Sequence, residues 1–416
     1  MRRVTTALLL VGSLGLVGHG DASATAPQAP DAFAHRLEAA RSELIAFRRD
    51  LHMNPEVSGE EVRTAAAVSD RLEALGLEVR RGVGGHGVVA TLSGALPGPT
   101  VAFRADLDAV YSDAPDPVDF ASVRPGVRHI CGHDIHTTIG VALAEGFAAM
   151  RASLPGTVVF VFQPAEERAN GAEAMLADEA FGDVEPEAIF AFHTAPMQTG
   201  VVALAREAMM PGRDAVAFNV RGASDYREIE RELSRGVSAA STVVNPGANQ
   251  PVGSDFISAQ YGGGQATGND GWRFGAVVTR STENARIAAE AAMAAIASDI
   301  ESRYPGTEIS VEYDAGWVAG VTNDPELAAH AAASAGRVLG EDNVAWLQTM
   351  VPAFSEDFGS FQRHMPGVMF FLGVSNADRG WVGMPHSPGY VADEEAIFVG
   401  ARAMAAVMLD AMTQSW

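Results

Sequence analysis

Apolar positions recur at helical spacing from Leu37 to Met53 and again from Glu60 to Leu75, so an amphipathic helix is expected over each stretch. Extended apolar runs then alternate with helical ones, which is the signature of an α/β sheet. "TVAFRADLD" (100–108) reads as a strand ending in carboxylates, and "TVVFVFQPAEE" (157–167) as a strand running into paired glutamates. "AIFAFHTAP" (188–196) is a third, running into His193. Between the first two, Asp134 to Met150 has the pattern of a helix with Thr137 and Thr138 near its start. Open α/β sheets bind ligands outside the carboxyl ends of their strands. Three strands here bring Asp, Glu or His to that end.

The pattern changes after Pro211-Gly212. Asp214 to Arg221 and Trp272 to Arg280 alternate as strands, while Tyr226 to Ala240 and Glu283 to Tyr304 are helical in period. "VNPGANQPVG" and "YGGGQATGNDG" read as Gly/Asn/Pro-rich loops. No histidine falls between His193 and His330. Residues 213–320 are therefore expected to form an inserted α+β domain between two parts of a first domain, 25–212 and 321–416. In the second part Leu327 to Leu339 is a helix, "GVMFFLGV" a buried strand and Glu394 to Met412 a closing helix.

Composition adjusts this picture at three points. The chain opens with Met1-Arg2-Arg3, an apolar run from Ala7 to Val17, and Ala22-Ser23-Ala24. A charged start, a short apolar core and a small-residue site predict a signal peptide over 1–24, cleaved near Ala24, and a protein exported to the periplasm or medium. No later segment reads as long and apolar enough to span a bilayer. The net charge of −23, with no lysine in the chain, argues against nucleic acid and anionic membrane surfaces as partners. Only one cysteine is present, so no internal disulfide can form.

The candidates for chemistry are Asp106, Asp108, Cys131, His133, Glu166, Glu167, His193 and His386. A divalent metal needs several deprotonated N, O or S donors converging on one point, and loops after neighbouring strands can supply them. Cys131 and His133 are two apart around Gly132, so both can address one centre. Adjacent carboxylates diverge, leaving one of Glu166 and Glu167 to bind metal while the other handles protons. Each residue alone also fits a plainer role: Cys131 as a core thiol, His193 as a structural histidine, Asp106 and Asp108 as caps, the glutamates as a solvated loop. Their joint placement on one sheet edge favours the metal centre.

Seven segments in order carry a resemblance. They are "FRRDLHMNPEVSGEE" (47–61), "FRADLDAV" (103–110), "HICGHDIHTTIGVAL" (129–143), "VFQPAEERANGAEAML" (161–176), "AFHTAP" (191–196), "SEDFGSF" (355–361) and "PHSPGYVADEEAIFVGA" (385–401). Together they resemble the metal-dependent amidohydrolases that include hippurate hydrolase, N-acyl-amino-acid deacylases and auxin-conjugate hydrolases. The resemblance implies an α/β catalytic domain with a mixed central sheet flanked by helices, interrupted by a smaller lid and dimerisation domain. It further implies two divalent ions, commonly zinc or manganese, held by Cys131, His133, Glu167, His193 and His386. Glu166 matches the family's catalytic base, and Asp108 the acid that supports the metal centre from behind. The implied reaction is hydrolysis of a small amide such as an N-acyl amino acid. A dipeptidase or carboxypeptidase with the same centre, or a binding protein that has lost its lid function, are the other readings.

The inserted stretch departs from that pattern. Relatives carry a Gly-Gly-His-Ala-type motif whose histidine reaches the substrate carbonyl, but "VRGASDYREIERELSRG" (220–236) has no histidine. Within "ATGNDGWRFGAVVTRS" (266–281), Asn269 and Arg280 are the candidates to grip a substrate carboxylate, Arg280 standing equally well as an exposed strand-end arginine.

Overall fold

The computed structural model describes residues 29–413 apart from 244, 269 and 270, so the leader over 1–24 and Asn269 lie outside the described residues. The larger sheet is built from β1 (Glu78–Val83), β2 (Gly87–Ser93), β3 (Leu96–Asp106), β4 (Pro155–Gln163), β5 (Ala188–Gln198) and β6 (Val202–Leu204). A smaller sheet follows, with β7 (Gly212–Arg221), β8 (Ile257–Ala266), β9 (Gly271–Arg280) and β10 (Glu308–Val318), before β11 (Val344–Trp346) and β12 (Gly367–Ser375) return to the first. The larger sheet runs in the order β1-β2-β4-β3-β5-β12-β6-β11. Its centre, β4-β3-β5-β12, is parallel, and antiparallel pairs flank it. This is a mixed α/β sheet.

The central strands are buried on both faces, as near-continuous apolar runs require. Val101 to Asp106 is buried without interruption, and so is Val158 to Gln163. One face is covered by the helices His133–Ala149 and Glu395–Thr413, whose Ile135, Ile139, Phe398, Met404 and Met408 join Phe103, Phe160, Phe190 and Phe370 in the main core. The helix Glu395–Thr413 is long and apolar enough to cross a membrane by length and composition. This corrects the expectation that no later segment reaches that threshold. Its apolar surface is spent on the sheet, so burial in the core explains the same composition.

The N-terminal helical stretch is two helices, Ala29–Ala39 and Arg41–Met53, separated at Ala40. The smaller sheet, ordered β8-β9-β7-β10, is fully antiparallel and packs Val216, Phe218 and Val220 against Ile229, Leu233, Ala289 and Met293 of its two helices. Here the sequence reading needs correction. "YGGG" (261–264) is not a loop but part of edge strand β8, paired with β9 through a register shift between Tyr261 and Gly263. Glycine weakens a strand, but the bulge and the close approach of the Phe274 ring explain its use. A Cβ at Gly264 would lie 2.2 Å from that ring.

Candidate metal centre

The parallel strands β4, β3 and β5 are neighbours, and the segments at their carboxyl ends converge. Cys131 and His133 come from the turn that opens the helix His133–Ala149. Gly132 makes that turn in the left-handed region, at φ +92°. A Cβ there would stand 2.3 Å from the Tyr390 hydroxyl and 2.7 Å from the Thr194 side chain, so only glycine lets the two donors approach. Glu166 and Glu167 occupy a short 3-10 turn between two alanines at positive φ, Ala165 and Ala169, both at +53°. His386 is also left-handed, at φ +59°, on a loop held by its amide donating to Ile130 O at 2.8 Å. Non-glycine residues in this region store strain, and three of the four among the described residues, Ala165, Ala169 and His386, belong to the segments that carry donors.

The donor atoms meet in overlapping sets. Cys131, His133 and His193 form one set, Cys131, Glu167 and His386 a second, and His133, Glu166 and Glu167 a third, each set's atoms lying within 4.8 Å of one another. Cys131 Sγ lies 3.5 Å from His193 Nε2, and His386 Nε2 lies 3.2 Å from Glu167 Oε1. His133 Nε2 faces Glu166 and Glu167 oxygens at 3.8 Å each.

Surrounding groups fix how these donors point. His193 Nδ1 donates to Thr194 O at 2.8 Å, which turns the Nε2 lone pair toward Cys131. His133 Nδ1 stands 3.2 Å from Asp108 Oδ1, a carboxylate–histidine pair that orients a ligand from behind. Asp108 is itself held by the Ser58 hydroxyl at 2.6 Å and the Glu167 amide at 3.0 Å. Burial pushes the Asp108 carboxyl up, but the His133 bond and charge and the Ser58 hydroxyl outweigh it and hold it below its usual range.

The electrostatics fit a cation. Burial opposes charge on His133, yet Asp106, Asp108 and Glu167 raise its pKa to about 10. Burial raises the Cys131 thiol, and Glu167 and Glu166 push it further. His193 is lowered to about 4, by burial first and then His136, so it stands as a neutral donor. Buried His133 Nε2 and Glu167 Oε1 have no hydrogen-bond partner among the described residues. A soft thiolate, three imidazoles and carboxylates turned on one another suit a divalent ion.

Beneath the donors lies a charged floor. Arg104, wholly buried on β3, meets Asp106 at 2.8 Å, Glu356 at 2.8 Å, Asp357 at 3.2 Å and Gln163 at 2.8 Å. Glu356 and Asp357 bring carboxylate oxygens to within 4.8 Å of Glu166. Burial and then Glu356 and Glu167 hold the Glu166 carboxyl well above its usual range. Asp357 rises to about 7 because burial and Glu356 outweigh Arg104. His136 belongs to the same layer: its Nδ1 lies 2.7 Å from Asp106 Oδ1, and its Nε2 accepts from the Thr194 amide at 2.9 Å. Both ring nitrogens are thereby used, and neither is left for a metal. His129 is buried with neither nitrogen partnered among the described residues, and burial lowers its pKa to about 4.

Asp106, Asp108, Cys131, His133, Glu166, Glu167, His193 and His386 thus come together. Arg280 does not join them by any hydrogen bond or ion pair among the described residues; it pairs instead with Asp214 of its own sheet, at 3.4 Å. Sequence reasoning assigned no role to Arg104, Glu356, Asp357 or Gln163. A charged arginine inside the apolar run "VAFRAD" was the available signal, since a buried charge requires partners.

A mixed α/β sheet with this donor cluster at its strand ends is the framework of a divalent-metal centre. Residues 102–410 match the peptidase family M20/M25/M40, and the chain belongs to that family and is a metal-dependent hydrolase that acts on amide bonds. A probable hydrolase of Synechocystis sp. is 33% identical over 371 residues, covering 86% of this chain and 92% of the relative. N-acetylcysteine deacetylase of Bacillus subtilis is 31% identical over 382 residues, covering 88% and 96%. An IAA-amino acid hydrolase of Arabidopsis thaliana, ILR1-like 4, is 30% identical over 372 residues, covering 86% and 83%. Among solved structures, the B. subtilis YXEP protein, a dinuclear metal binding peptidase of the M20 family, superimposes with a TM-score of 0.74 at 26% identity, covering 90% of this chain and 99% of that one. Family membership and this likeness support divalent metal at the cluster.

Proposed function

We propose that the protein hydrolyses the amide bond of N-acyl amino acids or related small amide conjugates, with Glu166 as general base. The observation that carries the assignment is the difference between two adjacent glutamates: both stand 3.8 Å from His133 Nε2, but Glu167 also turns to His386, while Glu166 is buried over Glu356 and Asp357 with its carboxyl raised. Names of relatives such as N-acetylcysteine deacetylase and IAA-amino acid hydrolase support the substrate class. Cys131, His133, Glu167, His193 and His386 would hold two divalent ions, zinc or manganese, with Cys131 common to two donor sets. When bound, such ions acidify a water and stabilise negative charge on the scissile oxygen. Glu166 takes the proton from the attacking water and returns it to the leaving amine, a task that needs a carboxyl with raised pKa beside the reacting atoms. Asp108 keeps His133 in its ligating orientation throughout.

Glu166→Gln preserves size and removes the base. Metal content should stay at the wild-type level while kcat falls by on the order of 10²–10⁴. Normal turnover in that variant would sink the assignment. A second reading, a carboxypeptidase using the same centre, is favoured by the thermostable carboxypeptidase 2 of Saccharolobus solfataricus, 30% identical over 375 residues. A panel of N-acyl amino acids set against dipeptides separates the two. Export after cleavage near Ala24 and a dimer formed through 213–320, whose sheet ends in edge strands β8 and β10, complete the proposal.

A further inference from the structure

His386 is the donor with the least to hold it. Its side chain is 53% exposed, whereas Cys131, His133 and His193 are buried, so packing contributes little to where its Nε2 points. Two hydrogen bonds tie its loop to the segment that leads into Cys131. The His386 amide donates to Ile130 O at 2.8 Å, and Arg128 Nη1 donates to Pro388 O at 3.0 Å. Arg128 is clamped from its other side, where Nη2 meets Asp116 Oδ1 at 3.2 Å. Asp116 Oδ2 faces His52 Nε2 at 3.0 Å, and His52 Nδ1 faces Asp134 Oδ2 at 2.7 Å. Arg48 pairs with the same Asp134 oxygen at 2.9 Å. Every side chain in this series is at most 6% exposed. Asp134 directly follows His133, and Pro388 is two residues past His386. An unbroken chain of buried polar groups thus runs from one donor segment to another.

Burying these charges is costly, and packed apolar side chains would serve stability as well or better. Their arrangement therefore points to orientation. A planar guanidinium can address a carbonyl and a carboxylate at once, which a lysine ammonium on its flexible stem does poorly. Metal affinity depends on the groups that aim the ligands as well as on the ligands. We propose that Arg128 is a positioning residue for the metal ligand His386, holding the loop that carries it against the turn that carries Cys131 and His133. Asp116 and His52 fix the guanidinium in turn. This rests on the ligand set assigned above.

The test is a double-mutant cycle on the full chain, with zinc affinities read by competition against a chelator. His386→Ala identifies the affinity to which this histidine contributes. Arg128→Met should lower that same affinity by on the order of 10–100-fold. In the His386→Ala background it should change it by less than about twofold, because the group it acts through is gone. Arg128→Lys should fall between arginine and methionine. A general structural role predicts equal losses in both backgrounds, and that result, or no loss in the wild-type background, would overturn the proposal. Should Arg128→Met fail to fold, Asp116→Asn, which keeps size and loosens the guanidinium, enters the same cycle and must show the same coupling; independent losses there count against Arg128. If His386→Ala leaves zinc binding at the wild-type level, the ligand set itself fails, an outcome distinct from any failure of Arg128 alone.

Discussion

Gly132 offers the sharpest test of how the backbone builds the metal centre. Alanine at this position incurs two separate costs. The left-handed conformation at φ +92° costs an L-residue about 1–2 kcal/mol. The added methyl would also stand 2.3 Å from the Tyr390 hydroxyl and 2.7 Å from both Thr194 Cγ2 and Oγ1. Neither neighbour can step aside freely. Tyr390 is buried, and Thr194 donates its hydroxyl to Cys131 O at 2.5 Å while its carbonyl accepts from His193 at 2.8 Å. Overpacking of this kind costs about 1–3 kcal/mol more, so Gly132→Ala should lose about 2–5 kcal/mol in all. Gly380→Ala is the matched control, because φ is +67° there but nothing lies within 4 Å of the new methyl. It should lose about 1–2 kcal/mol only. Urea unfolding of both variants gives the stabilities, and zinc competition against a chelator reports the centre. Gly132→Ala should weaken metal binding through the displaced Thr194, and Gly380→Ala should not. Equal losses and equal metal affinity would refute the idea that steric closure at Gly132 sets the ligand positions.

Two further perturbations probe the layers around the centre. Arg104→Met strands Asp106, Glu356 and Asp357 without their shared cation, so denaturant unfolding should show a loss of about 3–5 kcal/mol; a loss under 1 kcal/mol would mean the floor does not depend on it. His52 bridges Asp134 at 2.7 Å and Asp116 at 3.0 Å; burial and Arg48 lower its pKa, but the bonds to Asp116 and Asp134 prevail and raise it on folding. Its contribution is therefore complete below the unfolded value of 6.5 and fades as pH climbs through the folded one, while the depressed Asp116 contributes above its unfolded value of 3.8 and is lost as pH falls. The stability gap between wild type and His52→Asn should accordingly be widest near pH 6 and narrow toward alkaline pH; a gap that grows with pH contradicts the sign.

The α/β order and most donors were legible because the code for them is local. Cys131 and His133 flank one glycine, Glu166 and Glu167 are adjacent, and the glutamates follow a strand whose apolar run is unmistakable. His386 is different. No periodicity marks it, and only its resemblance to a family motif placed it beside Glu167, from which it approaches on a left-handed loop. The floor was illegible for a stronger reason. Arg104 meets Glu356 and Asp357 across more than 250 residues of chain, and partners at that separation leave no local pattern. Edge strand β8 was missed because its glycines carry no strand propensity, the ladder to β9 and the Phe274 ring being what hold it. Where pairing rather than side-chain chemistry specifies an element, composition misleads.

The floor also explains how neighbouring glutamates come to differ. Both follow the same strand and share a short turn, so the local backbone cannot distinguish them. Both stand 3.8 Å from His133, but Glu167 also meets His386, and its amide is tied to Asp108. Glu166 faces carboxylates that arrived from 190 residues downstream, with Arg104 already shared among three acids and unable to offset a fourth. Like charges in a buried layer raise a carboxyl's pKa, which makes an ionised Glu166 the stronger base for taking a proton and lets it hold that proton until the amine leaves. On the proposed mechanism, removing Asp108 would misplace a ligand, whereas removing Glu356 would leave the ligands in place and lower the pKa of Glu166. On that mechanism the distant pair 356–357 bears on the proton chemistry of the site as much as on its stability.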